Sequence, residues 1–585
     1  MVLYTISGIS YFLIAPLILF LTAFRDKKDF ISVLASLLIS FFVMTAFLIA
    51  FNFLHLLNGL SVLIASIASV FFIGLWIKRN NIDYEKIKLN KNIILFSILI
   101  AVFIFILQKT TLHLYYPDSF GKYLPWARFV SELNYIPGVI ETGLDHFLLF
   151  TPPILYGFAA LLMSLFRTTS DNLIASIPIL FSSLTIFLLL HWAKESKRRF
   201  VAYFAVFSLL SSYIYMTIFQ GYLIEPLSIF FLTAAFYFLY RYEKDQKEFY
   251  LILLILSLSL GSLTQLSGLL FGLIIFIALL IKYRKNALKI IFYFFLFHIP
   301  TLVWLVRNYY YYNNPFYRSL TSLFSGKWNE IHKLWPSTPK ELEIGILKFF
   351  KDVLIKFPAV IPYLIYSFRT RKQFFTKLTF ITLIISVIVI SLTLERVLIR
   401  YIIPLFAVLA LFSAKELALW FEKLFYKIKK YQKSLLNLGV ATLIILVLVF
   451  ANLRLSTPEE RFGNQFDLLE FLKQKEQGQL NIWGEDSEVL RWYGDYNLLR
   501  PWHNFYLTVN NLETIDYAQE SSDYYYDIAK EYKINYIFDS SVLNENTLLA
   551  ERYDVSNTKN LFKAIEDDPR FELVYNNKER LWKVK

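Results

Sequence analysis

Long apolar runs, separated by short basic turns, dominate the first 452 residues of the chain. A helix needs about 20 apolar residues to cross the hydrocarbon core of a bilayer. The pattern therefore predicts a polytopic all-α membrane domain. It indicates fourteen spans, at roughly residues 3–24, 30–51, 54–77, 93–107, 172–192, 200–219, 222–240, 249–263, 266–281, 290–306, 359–368 with its flanks, 378–394, 402–420 and 434–452.

The charges in the turns predict which side each turn faces. Seven basic clusters lie between the spans, at residues 25–28, 78–91, 194–199, 241–247, 282–289, 369–377 and 423–433. Such clusters favour the cytoplasm. All seven share one side only if a further apolar run, 146–166, does not cross, so we expect an interfacial or re-entrant helix there. The N-terminus, the loops 108–171 and 307–357, and the tail after Asn452 then lie outside the cytoplasm.

The segment from Leu453 onward has a different character. It carries 16 basic and 24 acidic residues, whereas the whole chain has a net charge of +14. Strand-like runs alternate there with helical patterns, which is typical of a small α/β domain with a partly parallel sheet. The strands are expected at 480–484, 535–539, 571–575 and 581–584, and the helices at 459–476, 522–533 and 557–567.

These patterns predict three regions. Residues 1–92 would form three extra N-terminal transmembrane helices. Residues 93–452 would form a transmembrane core that carries the two long outer loops, and residues 453–585 a soluble α/β domain outside the cytoplasm.

Composition narrows the function class. Hydrophobic residues make up 57% of the chain and charged residues 18%, against about 25% charged residues in a typical soluble domain. A soluble enzyme, a disordered chain and a nucleic-acid-binding module are thereby excluded. The chain has no cysteine, which excludes disulfides, thiolate catalysis and cysteine-bound metal.

Two acidic residues are candidates for chemistry at the outer face. Asp118 lies in the first outer loop after Pro117, where it could equally cap the helix that follows. Glu225 lies at the outer end of an apolar span, just before Pro226. Ionisable groups at that depth are costly and usually functional. The alternative for Glu225 is a terminal residue favoured by the helix dipole.

Cationic groups are predicted at the same face. Arg396 and Arg400 lie in a short outward turn, and a guanidinium fork suits a phosphate or a carboxylate. The alternative is an anchor to lipid head groups. Arg307 lies at another outward helix end, beside a run of tyrosines typical of an aromatic belt. His146 could contact a phosphate, although a lone histidine is usually packed.

With these residues in place, the chain resembles the GT-C class of membrane glycosyltransferases, which use polyprenyl-phosphate-linked sugars. It is most similar to the branch that contains protein O-mannosyltransferases and the lipid A aminoarabinose transferase. Four segments, in family order over most of residues 93–420, carry the resemblance. They are Asp118-Ser119 … Tyr123 … Ala127 with the Pro152-Pro153 helix, Ile224-Glu225-Pro226, Trp304–Asn308 with Asn314–Tyr317, and Arg400-Tyr401-Ile402-Ile403-Pro404-Leu405.

The chain also departs from the family pattern at three positions. Ser119 stands where the family often has a second acid, Glu225 replaces an aspartate, and Gln265 stands where some relatives have lysine. The first departure weakens the case for a metal site, so a divalent metal stays open and no cofactor is certain. The third removes one cationic contact to phosphate.

The resemblance implies an integral membrane enzyme, in the plasma membrane, with its active site on the extracytoplasmic face. A sugar would move from a polyprenyl-phosphate carrier to a protein, lipid or glycan acceptor, by in-line displacement with inversion. Asp118 would be the general base and Glu225 would orient its surroundings. The substrate contacts would come from six residues, namely Tyr123, His146, Arg307, Arg396, Arg400 and Tyr401.

Two other functions stay open at this point. Many spans also suit a transporter or a lipid flippase, but such proteins usually carry inverted repeats and charges near mid-membrane. The sequence shows no repeat, and its candidate acids lie at outer helix ends. The other alternative is an inactive relative that uses its outer domain as a binding module.

Overall fold

The computed structural model describes most of the helical part of the chain and a sheet near its C-terminus. Most of the predicted span 93–107, all of the span 434–452 and most of the loop 307–357 lie outside the described residues. Those residues are 2–25, 27, 29–89, 94–95, 98, 124–136, 153–196, 200–210, 212, 225–312, 353–354, 357–393, 402–424, 459–475, 480–484, 497–499, 521–539, 558–577 and 580–585.

Helices account for most of the described chain, because apolar runs without water must satisfy their backbone groups internally. A π-helical turn, Phe20–Phe24, extends the first helix, and a 3₁₀ turn, Ile403–Leu405, precedes the sixteenth. The helices before the C-terminal sheet are α1 Val2–Leu19, α2 Phe30–Phe53, α3 Gly59–Arg79, α4 Leu124–Leu133, α5 Ile154–Phe166, α6 Asp171–Ile174, α7 Ser176–Lys194, α8 Val201–Leu210, α9 Glu225–Asp245, α10 Glu248–Ser262, α11 Leu266–Lys282, α12 Ala287–Phe297, α13 Ile299–Tyr312, α14 Val360–Arg369, α15 Phe374–Thr393 and α16 Phe406–Leu424.

Several of these helices can span a bilayer. Within the described residues, five are long and apolar enough to cross, and a sixth crossing results if the bent pair α11 and α12 counts as one span. The axes of that pair differ by 108° across a break at residue 283. The sequence predicted fourteen spans, and that number stays a prediction.

The basic turns converge at one end of the helix bundle, which we call the basic end. Lys27 Nζ donates to Ile82 O at 3.0 Å, which joins the first turn to the segment after α3. That segment reaches α9, because Glu85 pairs with Arg241. Further ion pairs at this end are Arg241–Glu195, Lys247–Asp83, Lys282–Glu243 and Lys289–Glu248.

The opposite ends of the same helices form what we call the loop end, made of residues 52–59, 134–136, 263–265 and 307. Helix α5 begins and finishes there. The backbone N–H of Ile154 lies 3.4 Å from Leu263 O, and Ser164 Oγ accepts from Gly59 N at 2.8 Å. With 13 residues α5 is about 20 Å long, shorter than a bilayer core. That the segment 146–166 does not cross stays a prediction.

The first three helices are packed into the same core as the later ones. Helix α2 contacts α10, and α1 contacts α6 and α7. Phe41 of α2 lies 5.1 Å from Phe181 of α7, measured between ring centroids. The N-terminal helices are therefore part of the bundle, although the division of the chain at residue 92 stays a prediction.

A five-stranded sheet lies near the C-terminus, in the order β2-β1-β3-β5-β4. Strand β1 is parallel to β2 and β3, whereas β5 is antiparallel to β3 and β4. Helix α17 packs on one face and helices α18 and α19 on the other. The elements are α17 Glu459–Lys475, β1 Asn481–Gly484, β2 Asn497–Leu499, α18 Ser522–Glu531, β3 Tyr536–Asp539, α19 Thr558–Glu566, β4 Phe571–Asn576 and β5 Arg580–Val584.

Candidate active site

The structure describes two of the predicted site residues, Glu225 and Arg307. The other predicted site residues lie outside the described part of the chain, and their roles stay predictions. These are Asp118, Tyr123, His146, Arg396, Arg400 and Tyr401.

Glu225 is the first residue of α9 and is 1% exposed. Arg241, at the basic end of the same helix, lies sixteen residues later, which corresponds to about 24 Å along the axis. Glu225 is therefore at the end of α9 opposite to the basic end, and that this end faces outward stays a prediction. A carboxylate in the first turn also benefits from the partial positive charge of the helix N-terminus, and its part in chemistry stays a prediction.

Arg307, on α13, is 2% exposed. Its Nη2 donates to Ile136 O at 3.0 Å and its Nη1 to Asn308 Oδ1 at 3.3 Å. The guanidinium carbon lies 4.4 Å from the ring centroid of Trp304. The sequence predicted a substrate contact for this residue. In the structure its guanidinium binds the loop 108–171 at Ile136, and a contact with the substrate phosphate stays a prediction.

Asn52, near the end of α2, is a loop-end residue that the sequence interpretation missed. It is 4% exposed, and its Oδ1 accepts a hydrogen bond from the backbone N–H of Ile136. The carbonyl of Ile136 is the group that Arg307 binds. A buried amide inside an apolar run is costly unless it is hydrogen-bonded, and this signal could have singled out Asn52.

Polar groups also surround the start of α11. Gln265 precedes the helix and is 8% exposed, and Ser267 in its first turn is 7% exposed. Neither Gln265 Oε1 nor Ser267 Oγ makes a hydrogen bond within the described residues. Buried polar atoms of this kind need a partner, so the pair could accept contacts from a bound molecule at the loop end.

The described residues contain no group of three or more His, Asp or Glu side chains placed to hold a metal ion. Asp118, the acid that the family resemblance connects with a metal, is not among them. The question of a divalent metal therefore rests on the sequence alone.

Comparison with known proteins adds a family and a fold. Residues 151–305 match the family model of dolichyl-phosphate-mannose-protein mannosyltransferases. This segment begins in the first outer loop and includes α5 to α12, Glu225 and the start of α11. No curated protein matches the sequence.

Two solved structures of ArnT share the fold at low sequence identity, and a third structure gives a lower score. ArnT from Cupriavidus metallidurans, bound to undecaprenyl phosphate, superposes with a TM-score of 0.58 at 13% identity, over 84% of this chain and 98% of that one. Its apo form gives a TM-score of 0.55 at 13% identity, over 84% and 97%. The archaeal oligosaccharyltransferase AglB from Archaeoglobus fulgidus, in complex with an inhibitory peptide and a dolichol-phosphate, gives 0.46 at 12% identity, over 77% and 70%.

The helices that can span a bilayer and the ArnT-like fold together show an integral membrane protein. Buried polar side chains at the end of the helices opposite to the basic end include those of Glu225, Gln265 and Arg307, and the first two lie within residues 151–305. Residues 151–305 therefore match the family model of dolichyl-phosphate-mannose-protein mannosyltransferases, and the chain shares the fold of ArnT.

Proposed function

We propose that the chain transfers a sugar from a polyprenyl-phosphate carrier to an acceptor outside the cytoplasm, with inversion at the anomeric carbon. The observation that carries this proposal is the burial of two polar side chains, Glu225 and Gln265, within the segment that matches dolichyl-phosphate-mannose-protein mannosyltransferases. A relative with the same fold, ArnT, binds undecaprenyl phosphate. Mannose, another hexose or a pentose would each satisfy the chemistry.

The reaction needs a base, a leaving-group site and an oriented acceptor. Asp118 takes the proton from the acceptor hydroxyl or amine as its oxygen or nitrogen bonds to the anomeric carbon. The bond to the phosphate oxygen breaks in the same step, and the lipid phosphate leaves. Arg400, with Arg396 and Tyr401, stabilises that phosphate, because a guanidinium offers two parallel donors. Glu225 orients the acceptor, and Tyr123 and His146 contact the substrates.

The membrane arrangement is part of the same proposal. The basic end would face the cytoplasm and the loop end the outside, with fourteen spans in the plasma membrane. The convergence of the basic turns through ion pairs such as Glu85–Arg241 supports a common side for them. The segment after residue 452 would be a soluble α/β domain on the loop-end side, where it could help to select the acceptor.

Two substitutions test the assigned roles. Asp118→Asn keeps the ability to cap a helix but cannot take a proton, and loss of a general base costs about 10²–10⁴-fold in rate. Arg400→Lys keeps the charge and loses the fork. We expect both variants to insert normally and to lose most transfer from a polyprenyl-phosphate sugar.

Glu132→Gln is the matched control, because this carboxylate lies in the same loop, is 58% exposed and pairs at the surface with Arg128 in the preceding turn. It should transfer at close to the wild-type rate. Near-normal transfer by Asp118→Asn would move the base elsewhere, with Glu225 as the next candidate. Near-normal transfer by Arg400→Lys would remove the phosphate site from that residue.

A further inference from the structure

We propose that the turn between α2 and α3, residues 52–59, is a platform that positions the first outer loop for transfer, with Asn52 and His55 as positioning residues. The inference rests on the proposed function, since the loop carries Asp118. Nothing in the family resemblance requires it, because the first three helices lie before the segment that carries that resemblance.

The strongest contact is a two-sided hold on Ile136, the residue that follows α4 by three positions. Asn52 Oδ1 accepts from its N–H, and Arg307 Nη2 donates to its carbonyl at 3.0 Å. All three residues are at least 96% buried. Both backbone polar groups of one loop residue are thus fixed by side chains from α2 and α13, far from it in sequence.

Two further contacts align the turn with the end of α4. Leu57 N donates to Asn134 O at 2.7 Å. The ring of His55 stacks on the ring of Tyr135, with centroids 4.0 Å apart and planes at 26°. The platform therefore contacts three consecutive loop residues through a side-chain bond, a backbone bond and a ring stack.

The backbone at His55 points to a use for its ring. His55 has a φ of 54°, the left-handed conformation that ends α2. Its N–H donates to Asn52 O at 3.2 Å, and the next N–H, of Leu56, donates to Phe51 O at 2.9 Å, the pair of bonds that closes a Schellman motif. Glycine is the usual residue there, because other side chains cost about 1–2 kcal/mol in this conformation. A strained histidine with a stacked ring is typical of a functional position.

The other side of the turn holds α5, the second described helix of the loop. Gly59 N donates to Ser164 Oγ at 2.8 Å, and Tyr11 Oη donates to Gly59 O at 3.0 Å. A Cβ at Gly59 would lie 2.1 Å from Leu161 O, so only glycine allows α3 and α5 to approach this closely. The turn therefore contacts the residues after α4 on one side and α5 on the other.

This geometry has a consequence for catalysis. Helix α4 begins at Leu124, six residues after Asp118, and its far end is the part that the platform holds. A rigid helix transmits a shift at one end to the other. Because a displacement of about 1 Å from productive geometry can cost 10²-fold in rate, a loosened platform should lower the rate of transfer and leave donor binding unchanged.

The test uses the full-length protein and three variants. Asn52→Leu removes the oxygen that accepts from the buried N–H of Ile136, and Asn52→Asp keeps an acceptor oxygen at that position. His55→Gly removes the ring and relieves the strain of the left-handed backbone conformation. Leu54→Ala is the control in the same turn, since its side chain is 61% exposed. Four quantities are measured for each variant: amide hydrogen exchange at Leu57 and Ile136, the melting temperature, the Kd for a polyprenyl-phosphate sugar, and kcat per folded enzyme with that donor.

We expect faster exchange at Ile136 and about a tenfold or greater loss of kcat in Asn52→Leu, with partial recovery in Asn52→Asp. His55→Gly should melt at the wild-type temperature or above it, yet lose kcat with an unchanged Kd for the donor. A role in stability alone would leave kcat of folded His55→Gly unchanged, and that result overturns the proposal. Unchanged exchange in Asn52→Leu also overturns it. Absence of transfer by the wild-type protein would instead refute the proposed function. The exchange data would still show whether Asn52 holds the N–H of Ile136.

Discussion

Replacing Arg241 with leucine should destabilise the bundle strongly, because this arginine joins four parts of it. The residue lies near the end of α9 and is 1% exposed. Its Nη1 is 3.2 Å from Glu195 Oε2 after α7, and its Nη2 is 2.8 Å from Asp245 Oδ2. It also pairs with Glu85 and lies over the ring of Tyr250 on α10, with its guanidinium carbon 5.3 Å from the centroid.

The magnitude follows from the burial of the partners. Removing one member of a buried ion pair costs about 3–5 kcal/mol, because a buried charge loses its partner. Glu195 and Asp245 are each 15% exposed, whereas Glu85 is 48% exposed, so Glu85 adds at most about 1 kcal/mol. With both mainly buried carboxylates still slightly hydrated, we expect a loss of about 3 kcal/mol in the free energy of unfolding.

The same substitution should also change the pKa of the Glu85 carboxyl. Burial raises the pKa of Glu85, but the hydrogen bond and charge of Arg241, together with Lys244, bring it below its ordinary value. In Arg241→Leu the contribution of Arg241 is lost and that of Lys244 remains, so the pKa of Glu85 should rise. Lys244→Met is the matched control, because Lys244 is 50% exposed and lies 3.6 Å from the same carboxylate. It should change stability by no more than about 0.5 kcal/mol.

The assay is the melting temperature of the detergent-solubilised protein. It is measured as the loss of the monodisperse peak in size-exclusion chromatography after heating. Arg241→Leu should melt several degrees below both the wild type and Lys244→Met. Equal melting temperatures for all three proteins would refute the view that the buried arginine holds the basic end together.

Three further predictions concern the membrane topology, the C-terminal segment and the packing of α11. Reporter fusions after Arg79, Arg199, Lys285 and Lys430 should report the cytoplasm and a fusion at the C-terminus the outside; a cytoplasmic C-terminus would contradict the charge argument. Residues from about 455 should form a water-soluble domain without covalent chemistry, and its deletion should lower transfer to the natural acceptor; full-rate transfer would remove a role in acceptor choice. Gly268→Ala should lower stability by about 1–3 kcal/mol, since its Cβ would lie 2.1 Å from Gly261 O, whereas Gly272→Ala, with 3.6 Å to Ser262 Oγ, should be neutral or stabilising in the same melting assay.

The regular elements were predictable because their pattern is local. The four expected strands lie within one residue of strands in the structure, as with Phe571–Asn576 against 571–575. Strand β2 was missed, since three residues give no alternating pattern. The single span expected at 290–306 is two helices that meet at His298. Pro300 explains the break, because proline removes a donor and its ring clashes with the carbonyl four residues earlier.

The contacts at the loop end were not predictable, because they join distant parts of the chain. The charge of Arg307 predicts an anionic partner, but it could not predict the hydrogen bond to the carbonyl of Ile136, 171 residues away. No local pattern specifies such a contact. Asn52 was hidden within an apolar run, and His55 within a short turn. The residues expected to perform chemistry, Asp118 and Arg400 above all, rest on sequence patterns and need direct measurement.

The most direct measurement is transfer by the purified wild-type protein from a synthetic polyprenyl-phosphate sugar, radiolabelled in the sugar and reconstituted in lipid vesicles. The same labelled sugar on a nucleoside diphosphate is the comparison, and the anomeric configuration of the product is determined. The account predicts label in the acceptor from the lipid-linked donor, with the configuration inverted and no transfer from the nucleotide. Transfer from the nucleotide sugar alone, or retention of configuration, would contradict it.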